Sequence, residues 1–106
     1  MDKYNLSNFI GGWIIGNFIP SIINTKLFEI AIKKYKKGDY ENKHFHQIAI
    51  EITIIVSGKV KMNDTIYNTN DIVYIKQNES TDFLCLEDTT TCVIKLPSCI
   101  GDKYND

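Results

Sequence analysis

The sequence predicts an all-β domain, and three observations carry that expectation. Apolar residues recur with period two rather than with the helical period of about 3.6. The runs are rich in β-branched Ile, Val and Thr, which stiffen χ1 and suit a pleated sheet. Asn, Asp, Gly and Pro break the runs at short intervals, the spacing of an antiparallel sandwich or barrel with roughly eight strands. At 106 residues the chain has the size of one domain, so residues 1–106 are read as a single unit.

The elements follow in order. "FIGGWIIGNFIPSII" (residues 9–23) is the most apolar stretch. It is too short to span a bilayer, and Gly, Asn and Pro interrupt it, so it is read as a buried edge strand and turn. "LFEIAIKK" places Phe28, Ile30 and Ile32 on one face and Glu29, Ala31 and Lys33 on the other. The lysines Lys33, Lys34, Lys36 and Lys37 read as a solvated strand end before a turn at Gly38. "IAIEITIIV" places Ile48, Ile50, Ile52, Ile54 and Val56 on one face, with Ala49, Glu51, Thr53 and Ile55 on the other. Ser57-Gly58 is a turn. "KVKMNDTIY" is a two-residue hairpin, because Asn63 and Asp64 both tolerate positive φ. Asn68 to Asp71 turns into the strand "IVYIK", and "TDFLCLEDTTTCVIKL" reads as a last hairpin ended by Pro97. The tail "GDKYND" carries no strand signal and is read as partly disordered.

Composition narrows the function classes. A formal net charge of −1, with no basic stripe interleaved with aromatics, argues against nucleic acid as a partner. Arginine is absent, so no planar guanidinium is available for bidentate recognition of phosphate or carboxylate. That argues against a nucleotide-sugar substrate. No signal-peptide pattern opens the chain and no membrane span is expected. Cys85, Cys92 and Cys99 make an odd number, and a reduced, cytoplasmic setting is the default expectation. If "EDTT" is a hairpin loop, Cys85 and Cys92 lie roughly opposite each other, as a redox pair or, preferably, as two buried thiols.

The chain has only two histidines, His44 and His46, one residue apart, and Glu51 follows five positions later. On a strand, His44 and His46 share a face, and two imidazoles with a nearby carboxylate can hold a divalent first-row metal. Glu51 has the opposite parity, so convergence demands a β-bulge or a bend between Gln47 and Ile50.

The pattern Gly38-x5-His44-x-His46-x4-Glu51-x6-Gly58 resembles the first conserved motif of the cupin superfamily, with every signature position filled. The later strands also fall in cupin order, so the resemblance covers about residues 27–97, with 1–26 as an N-terminal extension. It implies a double-stranded β-helix (jelly-roll) barrel in which His44, His46 and Glu51 bind a metal at the open end. It implies a divalent transition metal such as Fe, Mn, Ni or Zn, and a small-molecule ligand. It also implies a homodimer that exchanges an N-terminal strand, here residues 13–23. The second cupin motif is degraded. Asn70-Asp71 stands for its Gly-Asp, and Thr81 falls where its histidine would supply a fourth ligand, with Asp82 beside it on the opposite parity.

Tyr67, Tyr74 and Phe83 are candidates to line a pocket or simply to join the core, and Tyr74 is the first candidate for a catalytic tyrosine. Trp13 is expected to close the barrel or to sit in a dimer contact. Two functions stay open at this point: a metal-dependent enzyme of unnamed reaction, or a non-catalytic ligand-binding or structural barrel with a vestigial site.

Overall fold

The computed structural model describes residues 1–106. After a short 3-10 turn at Leu6–Asn8 come ten strands: β1 (Trp13–Ile15), β2 (Glu29–Tyr35), β3 (Tyr40–Phe45), β4 (Ile50–Ser57), β5 (Lys59–Met62), β6 (Thr65–Asn68), β7 (Ile72–Ile75), β8 (Thr81–Cys85), β9 (Thr89–Leu96) and β10 (Tyr104–Asn105). They form two five-stranded sheets, ordered β1-β2-β9-β4-β7 and β10-β3-β8-β5-β6. Every strand pairing is antiparallel. This is the double-sheet barrel that the sequence pattern predicts.

Turn chemistry places the strands as expected. Asn63 (φ 46°) and Asp64 (φ 67°) close the β5–β6 hairpin, in which Met62 pairs with Thr65. Gly58 (φ 110°) lies where the chain leaves the first sheet for the second, and a Cβ there would meet the Asp88 carbonyl and Thr89.

Three expectations are corrected. Thr81–Cys85 and Thr89–Leu96 are not a hairpin: β8 pairs with β3 and β5, while β9 pairs with β2 and β4, so residues 86–88 cross between sheets. Cys85 and Cys92 therefore lie on different sheets. The 9–23 segment does supply an edge strand, with β1 paired to β2 of the same chain, but it is not buried: Ile10, Ile19 and Ile23 are 72%, 87% and 56% exposed. The tail is ordered. β10 pairs with β3, the Phe45 and Tyr104 rings stack at 5.5 Å, and Asp102 is only 5% exposed.

Along the first sheet the odd-numbered positions point inward. Ala31, Thr53, Ile55, Thr91 and Val93 are buried, and the register aligns Glu29, Lys95, Glu51 and Ile75 in one row across the interior. The Ile-rich face of β4 points outward. The apolar core is a cluster of Ile55, Val60, Met62, Ile75, Phe83 and Cys85, against which Tyr35, Tyr67 and Val73 pack.

Candidate functional site

Two irregularities turn the motif residues toward the interior. In β3 the register slips between Glu41, opposite Phe83, and His44, opposite Thr81. The extra residue lets Glu41 and His44 both face the interior despite opposite parity. The second irregularity lies at residues 46–49, where the chain leaves β3 and enters β4 in the other sheet. It falls where the motif spacing requires one, and it turns Glu51 inward to face His46.

The Asp102 carboxylate holds that corner. It accepts hydrogen bonds from the backbone amides of Gln47 (3.0 Å), Ile48 (3.1 Å) and Ala49 (2.9 Å). Burial works to raise its pKa; the amides of Ala49, Gln47 and Ile48, with some help from His46, outweigh burial and hold it below the usual range. The Asp102 carbonyl accepts from His46 Nδ1. Asp102 was invisible to the sequence reading, which placed it in a disordered tail.

A backbone carbonyl can only accept, so Nδ1 of His46 carries a proton, and in the neutral ring Nε2 presents a lone pair. The same reasoning applies to His44, whose Nδ1 donates to the Asn42 carbonyl at 2.9 Å. His46 is 6% exposed, and its Nε2 has no hydrogen-bond partner. It faces Glu51 Oε1 at 3.5 Å. Thr53 Oγ1 donates to the other Glu51 oxygen at 2.8 Å, and Lys95 Nζ lies 3.9 Å from Oε1. Burial works to raise the Glu51 pKa; the His46, Lys95 and Thr53 contacts more than offset it and keep the carboxyl below its ordinary range. The His44 and His46 rings lie 5.5 Å apart, edge to face.

The donor set, two Nε2 lone pairs and one carboxylate, fits a divalent first-row ion. Nε2 of His46 has no hydrogen-bond partner and faces the Glu51 carboxylate. The three side chains do not converge, since no three His, Cys, Asp or Glu groups are arranged around one point. Neither fourth-ligand candidate is in place. The Thr81 hydroxyl donates to the Asp82 carbonyl, and the Asp82 carboxylate accepts from the Asn63 amide at 2.8 Å.

Around this cluster is a cavity of about 200 Å³. At ~30 Å³ per water that is the volume of roughly six or seven waters, the scale of a small organic molecule. Met62, Ile75, Phe83 and Val93 give it an apolar floor, and Lys33, Lys95 and Lys103 line it as cations. Trp13 closes one side, with Lys33 Nζ 5.3 Å and Lys95 Nζ 5.1 Å from its ring centre. Lys33 is thus an interior residue rather than part of a solvated strand end, and burial lowers its pKa. Glu29 shares the interior row, and burial raises its pKa against the opposing pull of Lys95.

The aromatic candidates divide. Phe83 lines the cavity, and Tyr67 packs on the core. Tyr74 is 54% exposed on the outer face and cannot reach the cavity, which removes it as a catalytic tyrosine. The tyrosine inside is Tyr35, whose hydroxyl donates to Glu41 at 3.1 Å. Burial and Glu41 push its pKa far above the ordinary value. Its alternation with Ala31 and Lys33 on β2 was the available signal. Cys85 is buried, Cys92 lies half-buried on the outer face, and Cys99 follows the last long strand; all three are free thiols.

Known structures identify the architecture. The barrel superposes on an uncharacterised conserved protein with a double-stranded β-helix domain from Klebsiella pneumoniae, with TM-score 0.71 and 14% identity over 97% of this chain and 89% of that one. It matches a cupin-2 domain containing protein from Shewanella frigidimarina with TM-score 0.55 and 14% identity, covering 65% of this chain and 70% of that one. It also matches Bacillus subtilis oxalate decarboxylase, described for its Mn(II) centres, with TM-score 0.63 and 16% identity over 76% of this chain. This chain spans only 24% of that larger one. No family model and no curated protein matches the sequence. The chain therefore has the cupin fold, as its motif suggested.

Proposed function

We propose that the barrel binds a small organic anion beside a divalent transition metal held by His44, His46 and Glu51. The observation that carries this reading is the buried Nε2 of His46. It faces the Glu51 carboxylate at 3.5 Å without a hydrogen-bond partner. In the neutral ring the two are facing acceptors, and a cation, either a metal ion or a proton on Nε2, satisfies both. When bound, such an ion supplies Lewis acidity and open coordination positions for an oxygen-bearing ligand. The chain's own residues supply the rest. Asp102 fixes the His46 ring, Lys33 and Lys95 attract the anion, Trp13 shields it from water, and the apolar floor limits its size. The manganese centres and the substrate in the name of the matched oxalate decarboxylase agree with this class of ligand.

A second reading is favoured by one contact. Lys95 Nζ, 3.9 Å from Glu51, already places a positive charge at the carboxylate. With a proton on His46 Nε2, the site would be a metal-free anion-binding barrel. The discriminating experiment is elemental mass spectrometry of untagged protein beside His44→Ala/His46→Ala. Near one equivalent of a transition metal, absent from the double variant, supports the metal site. No metal in either protein after reconstitution with Fe, Mn, Ni and Zn sinks it and leaves the metal-free barrel.

A further inference from the structure

Ala31, Lys33 and Tyr35 alternate on the inner face of β2, and Lys33 and Tyr35 line the cavity. Lys33 forms no ion pair there, whereas Lys95 is held near Glu51. The two ammonium groups share one ring: Lys33 Nζ lies 5.3 Å and Lys95 Nζ 5.1 Å from the Trp13 centre. Thr91 is the cross-strand neighbour of Lys33 on β9. It borders the cavity and is 1% exposed, yet its hydroxyl has no hydrogen-bond partner. An unpaired interior lysine beside an orphaned hydroxyl calls for a ligand that engages both. A desolvated lysine next to a second cation is also the setting in which an amine becomes nucleophilic. Burial acts most strongly on the Lys33 proton; Glu41 and Glu51 favour the ammonium form, Lys95 and Lys103 oppose it, and the pKa falls below the ordinary lysine value.

We propose that Lys33 is a nucleophilic amine that forms an imine with a small 2-oxo acid, whose carboxylate rests at Lys95 and whose carbonyl carbon faces Lys33 Nζ. This rests on the anion-binding part of the function proposed above and not on the metal. The step balances within the cavity. The Lys33 ammonium passes one proton, through cavity water, to the Glu41 carboxylate on the facing sheet. The freed amine attacks the carbonyl carbon. The N–C bond forms as the C=O π pair moves to oxygen, and a proton passes from nitrogen to that oxygen, giving a neutral carbinolamine. The Thr91 hydroxyl is the hydrogen-bond partner for the carbinolamine oxygen. Glu41 then returns its proton to the carbinolamine hydroxyl, the C–O bond breaks and water leaves. The protonated imine keeps the positive charge with which Lys33 began, and no oxidant or reductant is consumed. Tyr35, which donates to Glu41 at 3.1 Å, orients that carboxylate. The cavity of about 200 Å³ is on the scale of such an acid.

The test is reductive trapping. Chelator-treated full chain is incubated with pyruvate or glyoxylate and sodium cyanoborohydride, and intact mass and peptide mapping follow the adduct over the 12 lysines. One adduct per chain is expected, on Lys33, forming at least about tenfold faster than on Lys34, its exposed neighbour on the outer face. Lys33→Arg keeps the charge but not the nucleophile. It is expected to lose the adduct while lactate, which lacks the carbonyl, still raises its melting temperature. Should Lys33→Arg fail to fold, the wild-type preference for Lys33 over Lys34, and its loss in urea-unfolded protein, decides the matter. Labelling spread over the exposed lysines, an adduct that survives Lys33→Arg, or no adduct while lactate still stabilises the protein overturns the imine and leaves anion binding standing. Neither an adduct nor a thermal shift with lactate, pyruvate or glyoxylate overturns both.

Discussion

Asp102 lies 56 residues from His46 in sequence, yet it holds the corner on which the candidate site depends. Replacing it with Ala leaves three amides without their acceptor. Ala49 is 3% exposed, so its stranded N–H carries most of the desolvation penalty, about 1–3 kcal/mol. Gln47 and Ile48 are exposed and can turn to water, which limits their share to about 0.5 kcal/mol each. The total is about 2–4 kcal/mol. At ~4–8 °C per kcal/mol for a domain near this size, Asp102→Ala should melt roughly 10–30 °C lower. Asp102→Asn keeps one acceptor oxygen and should lose about half as much. The contribution has a pH signature. The folded carboxyl titrates below its unfolded value of ~3.9, so its stabilisation is fully present above that value. It fades as pH falls through the folded pKa, and the gap between wild type and Asp102→Ala should narrow in strong acid. Differential scanning calorimetry in chelator at neutral pH and in acid reads both effects. A neutral-pH melting point for Asp102→Ala within a degree or two of wild type would refute the reasoning.

Other outcomes follow from the same geometry. Ile55→Ala, at a position with no exposure, should cost about 2–5 kcal/mol, which urea titration measures. Gly58→Ala should lower stability by about 2–3 kcal/mol, because φ is 110° and the new Cβ meets the Asp88–Thr89 backbone; urea titration measures it. Cys85, 1% exposed and with burial pushing its thiol up to about 11, should resist iodoacetamide at mildly alkaline pH until the protein unfolds, as peptide mass spectrometry would show. Lys95→Met should keep the metal content while abolishing the thermal shift produced by small carboxylates; loss of metal instead would contradict the assigned ligands.

The motif between Gly38 and Gly58 made the fold and the site strand legible, because its spacing encodes both the shared face of the histidines and the need for a bend before Glu51. What escaped is nonlocal. A crossing between sheets and a hairpin carry the same short polar loop, so residues 86–88 could not reveal that β8 and β9 part company. The slip at Glu41–His44 shows only against the register of β8. Asp102 has no local pattern at all, since it acts on amides more than fifty residues away. Lys33 read as solvated because charge on an alternating strand points to water by default, and here the interior is where the charge is used.

That exchange of faces has a single physical cause. A barrel that keeps Glu29, Lys33, Glu51, Lys95 and two histidines within or beside its cavity cannot fill that volume with aliphatic side chains. The interior charges are tolerable because Lys95 stands in register between Glu29 and Glu51 and because Asp102 and Thr53 satisfy their neighbours. The apolar core is left as a six-residue cluster beneath the cavity, small for a chain of this length. The isoleucines that alternate with the interior charges then fall on the outside, where a monomer gains little from them. The cavity and the apolar outer face are thus the two sides of one alternating pattern.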